Sequence, residues 1–256
     1  MKNLVKKEES GLSTAQRFLT LFVFGIAMGI LEAIVVIYIR QLYYPSGFAF
    51  PLKWMSSNIA FFEWIREAAT IVMLVSVGIL TGKNNIQQLC YFLFSFGIWD
   101  IVYYIALKAL IHWPISILDW DILFLIPITW VGPVLAPVIC SITMIVGALG
   151  IVYLEDSDYS VVIKIQHWIL SVSGAFIIFC TFIWDYTKII YENHFFNDFF
   201  HLLQNEKFIK IFTNYQPEKY HWIVFSLGEM LILIALIDIF RNSFFKKVKT
   251  KKINLI

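Results

Sequence analysis

The chain has 256 residues, of which 59% are hydrophobic and only 15% charged. Soluble domains carry roughly 25% charged residues, so an ordinary water-soluble globule is excluded. A formal net charge of +2 excludes the strongly basic surface that nucleic-acid binding requires.

Residues 1–17 read as a basic tail, with Lys2, Lys6, Lys7 and Arg17. A membrane helix needs about 20 mostly apolar residues. Six stretches meet that length, at about 18–40, 58–80, 89–111, 121–153, 164–188 and 221–240. They predict an all-α, polytopic bundle of about six transmembrane helices over 18–240, in contact with membrane lipid. The first stretch is too long for a signal peptide, contains Glu32 and lacks a small-residue cleavage site, so it reads as a retained helix. Its Gly25, Gly29 and Ala33 recur every fourth residue. Such a face permits close helix approach, within the bundle or in a homodimer.

In the second stretch Glu63, Arg66, Glu67 and Thr70 share one helical stripe, and in the third Asp100, Tyr104 and Lys108 do the same. The fourth stretch is too long for one straight helix and is interrupted by Pro127, Gly132, Pro133 and Pro137. Proline removes a backbone donor and clashes with the preceding turn. A broken or re-entrant segment is therefore expected near 115–130, with a full span from about 133. Irregular backbone survives at membrane depth only where protein buries it or a polar cavity faces it.

After the fifth stretch, residues 189–220 form a long loop. Within it Phe195, Phe196, Phe199, Phe200, Leu202 and Leu203 lie opposite His194, Asn197, Asp198, His201 and Gln204, the pattern of an interfacial helix. The sixth stretch leads to a second basic tail, 241–256. With six spans both tails share one side, which then holds twelve Lys and Arg against six on the other. By the positive-inside rule both termini are expected in the cytoplasm, and the expected location is the bacterial cytoplasmic (inner) membrane.

Ionisable side chains at membrane depth are costly and point to function by default. A rise of 1.5 Å per residue puts Glu32, Arg66, Glu67, Asp100 and Glu229 about 12–16 Å from the outer ends of four helices. Glu63, Tyr104, Lys108 and Asp121 extend the same set, which is the candidate polar site. Four carboxylates against one arginine predict a layer that keeps protons or binds a cation through oxygen ligands. The histidines fall near the ends of the spans or in the loop, so a b-type haem is not expected. His194, Asp198 and His201 share a helical face that could hold zinc. Cys90, Cys140 and Cys180 lie in apolar runs, with no thiolate metal spacing. No phosphate-binding loop, dinucleotide fingerprint, zinc-protease motif or nucleophile elbow is present. Three classes remain: a small transporter or cation- or proton-coupled binding protein, a membrane-embedded enzyme acting on a lipid or lipid-linked substrate, and an assembly or scaffold subunit without chemistry.

Overall fold

The computed structural model describes residues 12–157, 159–196, 202 and 205–244. Among them, six helices are long and apolar enough to cross a membrane. In chain order these are α1 (Thr14–Tyr43), α2 (Ser57–Thr81), α3 (Asn85–Ile111), α4 (Leu135–Asp156), α5 (Ile165–Phe182) and, last, α8 (Trp222–Phe244). Two short helices, α6 (Trp184–Glu192) and α7 (Glu206–Phe212), precede α8, and two strands, β1 (Trp120–Phe124) and β2 (Trp130–Pro133), precede α4. The chain is thus an all-α polytopic bundle carrying one hairpin.

Local chemistry sets the helix ends. Ser13 and Gln16 cap α1 reciprocally: the Ser13 hydroxyl accepts from the Gln16 N–H and the Gln16 side chain accepts from the Ser13 N–H. Asn84 caps α3 by accepting from the Gln87 N–H at 2.9 Å. His112 ends α3 in the left-handed region, at φ 57°.

Glycines decide which helices touch. A Cβ on Gly29 would lie 2.7 Å from the Trp99 carbonyl oxygen, and one on Gly78 would lie 2.8 Å from that of Gln88. Helices α1 and α2 therefore both lie directly against α3. Gly97 does the same for α3 against Ser141 of α4, and Gly174 and Gly228 bring α5 onto α8. The pairs Gly147–Leu236 and Gly150–Phe240 run in the same sense along α4 and α8. These registers make α1 and α3 parallel, α4 antiparallel to α3, and α8 parallel to α4. The start of α1 and the finish of α8 consequently lie at one end of the bundle, opposite the hairpin. The Gly25, Gly29 and Ala33 face, expected either inside the bundle or in a homodimer, is filled by α3 of the same chain, and Ala33 is fully buried.

The break before α4 is a β-hairpin. Trp120 pairs with Pro133, Asp121 with Gly132 and Ile122 with Val131, followed by a bulge before Phe124 and Trp130. Pro133 closes β2, and Pro137 falls in the first turn of α4, where an amide has no intrahelical partner. An isolated two-stranded ribbon is marginal. This one is held by protein on both sides: Trp130 stacks on Phe182, with centroids 6.0 Å apart, and Phe124 packs against Phe96 and Trp99.

The fifth predicted span, 164–188, is divided at Ile183 between α5 and α6. Beyond it, Phe195 and Leu202 are buried with Tyr186, Ile189, Ile190 and Phe208, so these two apolar side chains of the expected interfacial helix pack into protein. Residues 197–201 and 203–204 of that helix lie outside the described residues. Tyr215 in the same region donates to Asp185; burial and that carboxylate hold its phenol well above the ordinary range.

Candidate functional site

The polar residues of α1, α2 and α3 meet the hairpin around one cavity of about 110 Å³. Helix α2 supplies the most. Its period places Glu63 and Glu67 on the buried face one turn apart, with Arg66 beside them. Arg66 donates to Glu63 at 2.8 Å and to Glu32 of α1, and stands 3.9 Å from Glu67. Glu67 turns instead to the hairpin. Its carboxylate accepts the backbone N–H groups of Leu125, at 2.9 and 3.1 Å to its two oxygens, and of Ile126 at 3.2 Å. Those amides sit in the tight connection between β1 and β2 and would otherwise be orphaned at membrane depth.

Arg40, one turn from the end of α1, is the second cation of the site. It donates to Asp121 of β1 at 2.8 Å. Its guanidinium carbon stands 3.8 Å from the Trp113 ring centroid and 4.4 Å from that of Phe48. Arg40 and Asp121 are 7% and 1% exposed, which makes them the most buried ion pair among the described residues. Charge pairing with stacking suits a guanidinium better than an ammonium. Asp100 on α3 accepts from the Ser141 hydroxyl of α4 at 2.8 Å and has no ion-pair partner among the described residues. Tyr103 and Tyr104 complete the wall from α3, and Tyr43, Tyr44, Phe48 and Lys53 complete it from the end of α1 and the loop after it.

Seven residues singled out from the sequence therefore meet at one cavity: Glu32, Glu63, Arg66, Glu67, Asp100, Tyr104 and Asp121. Two belong elsewhere. Lys108 lies nearer the end of α3, exposed, and donates to the Pro114 carbonyl at 2.7 Å. Glu229 lies across α4 from Asp100, where it accepts from Thr143 at 3.0 Å and lines a different, largely apolar space with Cys140 and Trp130. Depth alone placed Glu229 in the layer, but depth does not fix which way a helix faces. Of the residues that could hold zinc, Asp198 and His201 lie outside the described residues, and His194 is exposed. Among the described residues no three His, Cys, Asp or Glu side chains gather closely enough to hold a metal ion. The layer counted from the sequence as an excess of carboxylates is instead partitioned. Glu32 and Glu63 share Arg66, Asp121 has Arg40, Glu67 has backbone amides, and of the cavity's carboxylates Asp100 alone lacks a cationic or amide partner among the described residues.

Sequence reasoning missed Arg40, Tyr103 and Tyr44. The available signal for Arg40 was its spacing of eight residues from Glu32, about two helical turns, which puts both on one face.

The cavity has a floor and a side gap. Toward the termini it is closed by Met28, Leu74 and Trp99, packed with Phe24, Phe92, Phe96 and Phe124. To the side, α1 and α2 both lie along α3 but scarcely touch each other. At the cavity the interval is spanned by the Glu32–Arg66–Glu63 group, whose Arg66 side chain is 21% exposed, and nearer the termini Arg17 of α1 donates to the Thr81 carbonyl of α2 at 2.9 Å. No protein-family model, curated protein or solved structure matched the chain.

Proposed function

We propose that the chain is a membrane-embedded enzyme acting on a lipid or lipid-linked substrate, whose polar head enters the hairpin-end cavity from the side, between α1 and α2. The observation that carries this reading is the shape of the site: a charged cavity with an apolar floor and a lateral gap where two neighbouring helices part. A head group placed there can leave its tail in the bilayer. The excess of Lys and Arg in the tails supports a topology with the termini in the cytoplasm and the hairpin end at the outer face, as in a bacterial inner-membrane protein.

Asp100 is the group for proton transfer. The other four carboxylates of the cavity are committed to guanidinium groups or backbone amides, while Asp100 has one neutral hydroxyl donor and lines the space directly. The test is reconstitution in liposomes made from the lipid extract of producing cells, followed by mass spectrometry of the lipids. Wild type should convert a lipid species, and folded Asp100→Asn should not. An unchanged lipid profile would overturn the reading.

Ion-coupled transport is the second reading, favoured by one observation: irregular backbone at Leu125 and Ile126 lies against the Glu67 carboxylate, an arrangement used at transport sites. It predicts solute movement across the same sealed vesicles with no change in lipid chemistry.

A further inference from the structure

Asp100 and Tyr104 stand four residues apart on one face of α3, and both line the cavity. Residues at that spacing have Cβ atoms about 5–6 Å apart. Asp100 engages one carboxylate oxygen: Oδ2 accepts from the Ser141 hydroxyl. Its Oδ1 and the Tyr104 hydroxyl have no hydrogen-bond partner among the described residues. The side-chain atoms that lack a partner and are wholly enclosed are Arg40 Nη1, Ser95 Oγ, Trp99 Nε1, Asp121 Oδ2 and Trp130 Nε1. Asp100 Oδ1 and the Tyr104 hydroxyl are not of that kind, so each keeps open surface on a residue that lines the cavity.

Both side chains are held in place. Gly97, one turn before Asp100, lets α4 approach so closely that a Cβ there would lie 2.8 Å from the Ser141 carbonyl oxygen, and this seats the Ser141 hydroxyl on Asp100. The Tyr104 ring meets Tyr103 edge to face, with centroids 4.8 Å apart. The other donors of the cavity are directed elsewhere. Arg40 and Arg66 are committed to carboxylates, and the Tyr103 side chain approaches Asp121. An atom that gains negative charge beside five carboxylates needs a donor close by, and a hydroxyl can supply it.

We infer that Tyr104 is a catalytic residue paired with Asp100. Asp100 Oδ1 takes a proton from the bound substrate, and the Tyr104 hydroxyl donates a hydrogen bond to the substrate oxygen on which the resulting negative charge settles. This rests on the reading of the chain as a lipid-acting enzyme and adds a second reacting group to it.

The experiment compares full-length wild type with Tyr104→Phe in liposomes where the lipid extract of producing cells is diluted into an ether-linked phosphatidylcholine. Lipid conversion is followed by mass spectrometry as the fraction of extract is varied. The substitution removes one oxygen that has no protein partner and keeps the ring on Tyr103. The maximal rate should fall about a hundredfold, as for the loss of one donor to a developing charge. The half-saturating fraction and the unfolding temperature should not change. A wild-type maximal rate in Tyr104→Phe, with Asp100→Asn inactive, would overturn the role of Tyr104 and spare the enzyme reading. A raised half-saturating fraction at full maximal rate would make Tyr104 a binding group and overturn it as well. A fall in rate together with a lowered unfolding temperature would assign the residue to packing. Absence of conversion by wild type would remove the enzyme reading and the role of Tyr104 together.

Discussion

The seam between α5 and α8 and the interval between α1 and α2 are built on opposite plans. At the first, Gly174 and Gly228 face each other so closely that a Cβ on Gly174 would stand 2.5 Å from the Gly228 carbonyl oxygen. Contact there is backbone on backbone, and nothing polar is needed to hold it. At the second, no glycine brings the helices together, and three charged side chains bridge the space. Both α1 and α2 make their close backbone contacts with α3. The bundle thus has one side sealed by dispersion and one side closed by charge. Small-residue packing is a recurring means of helix association in lipid, where the hydrophobic effect between helices is absent. An ion group is a poorer seal but leaves room for a ligand.

The comparison breaks most readily at the glycine seam. Gly174→Leu forces the α5 backbone away from Gly228 and Ile232 and should cost about 3 kcal/mol or more, the upper range for overpacking, with little folded protein recovered on purification. Gly25→Leu should act similarly, since its Cβ position is 2.7 Å from Ile98 Cγ2. Normal yield and unfolding temperature for Gly174→Leu would mean that α5 and α8 are not joined in this way. Arg66→Met should have the next largest effect. It strips Glu32 and Glu63 of their shared cation, but these side chains are partly exposed, so the cost is about 1–3 kcal/mol. Adding Glu32→Gln and Glu63→Gln should restore part of the loss, because the carboxylates left unpaired are then neutral. Absence of any such recovery in a thermal-unfolding series would show that Arg66 acts through packing and not through charge.

Much of this is legible in the sequence, and the division follows from what periodicity can encode. Span number, the interruption before α4 and the Glu63–Arg66–Glu67 stripe each depend on residues close in sequence. Hydropathy and helical spacing report those directly. The form of the interruption did not follow. Prolines at 127, 133 and 137 forbid a continuous helix, but a β-ribbon depends on what packs against it, and Phe182, Phe96 and Glu67 are distant in sequence. Partner choice among charges was hidden for the same reason. A count of carboxylates at one depth suggests a cation site, whereas the actual Arg40–Asp121 pair joins residues 81 apart in the chain. Rotational setting was the third gap. Lys108 shares a stripe with Asp100 yet ends on the Pro114 carbonyl, because the stripe has left the cavity by that turn.

The smallest expected effect is also the sharpest check on that division. Glu229 has the depth of the cavity carboxylates but sits beyond α4, beside Cys140 and Thr143 and behind the seam that α8 forms with α5. Glu229→Gln keeps the shape and the carbonyl-type acceptor for the Thr143 hydroxyl while removing the charge. The Thr143 bond is a single hydroxyl contact, worth about 1 kcal/mol, and the amide retains it. Charge removal in a largely apolar setting offsets any residual loss. The variant should therefore unfold within about 1 kcal/mol of wild type and leave lipid conversion unchanged. Asp100→Asn should differ, because Asp100 lines the cavity itself and its loss of charge is felt there directly. If Glu229→Gln instead abolished lipid conversion, as Asp100→Asn is expected to, the two carboxylates would be coupled through α4. Ser141 and Thr143, on either side of that helix, would then be the path to examine, and the cavity would extend across α4 instead of ending at it.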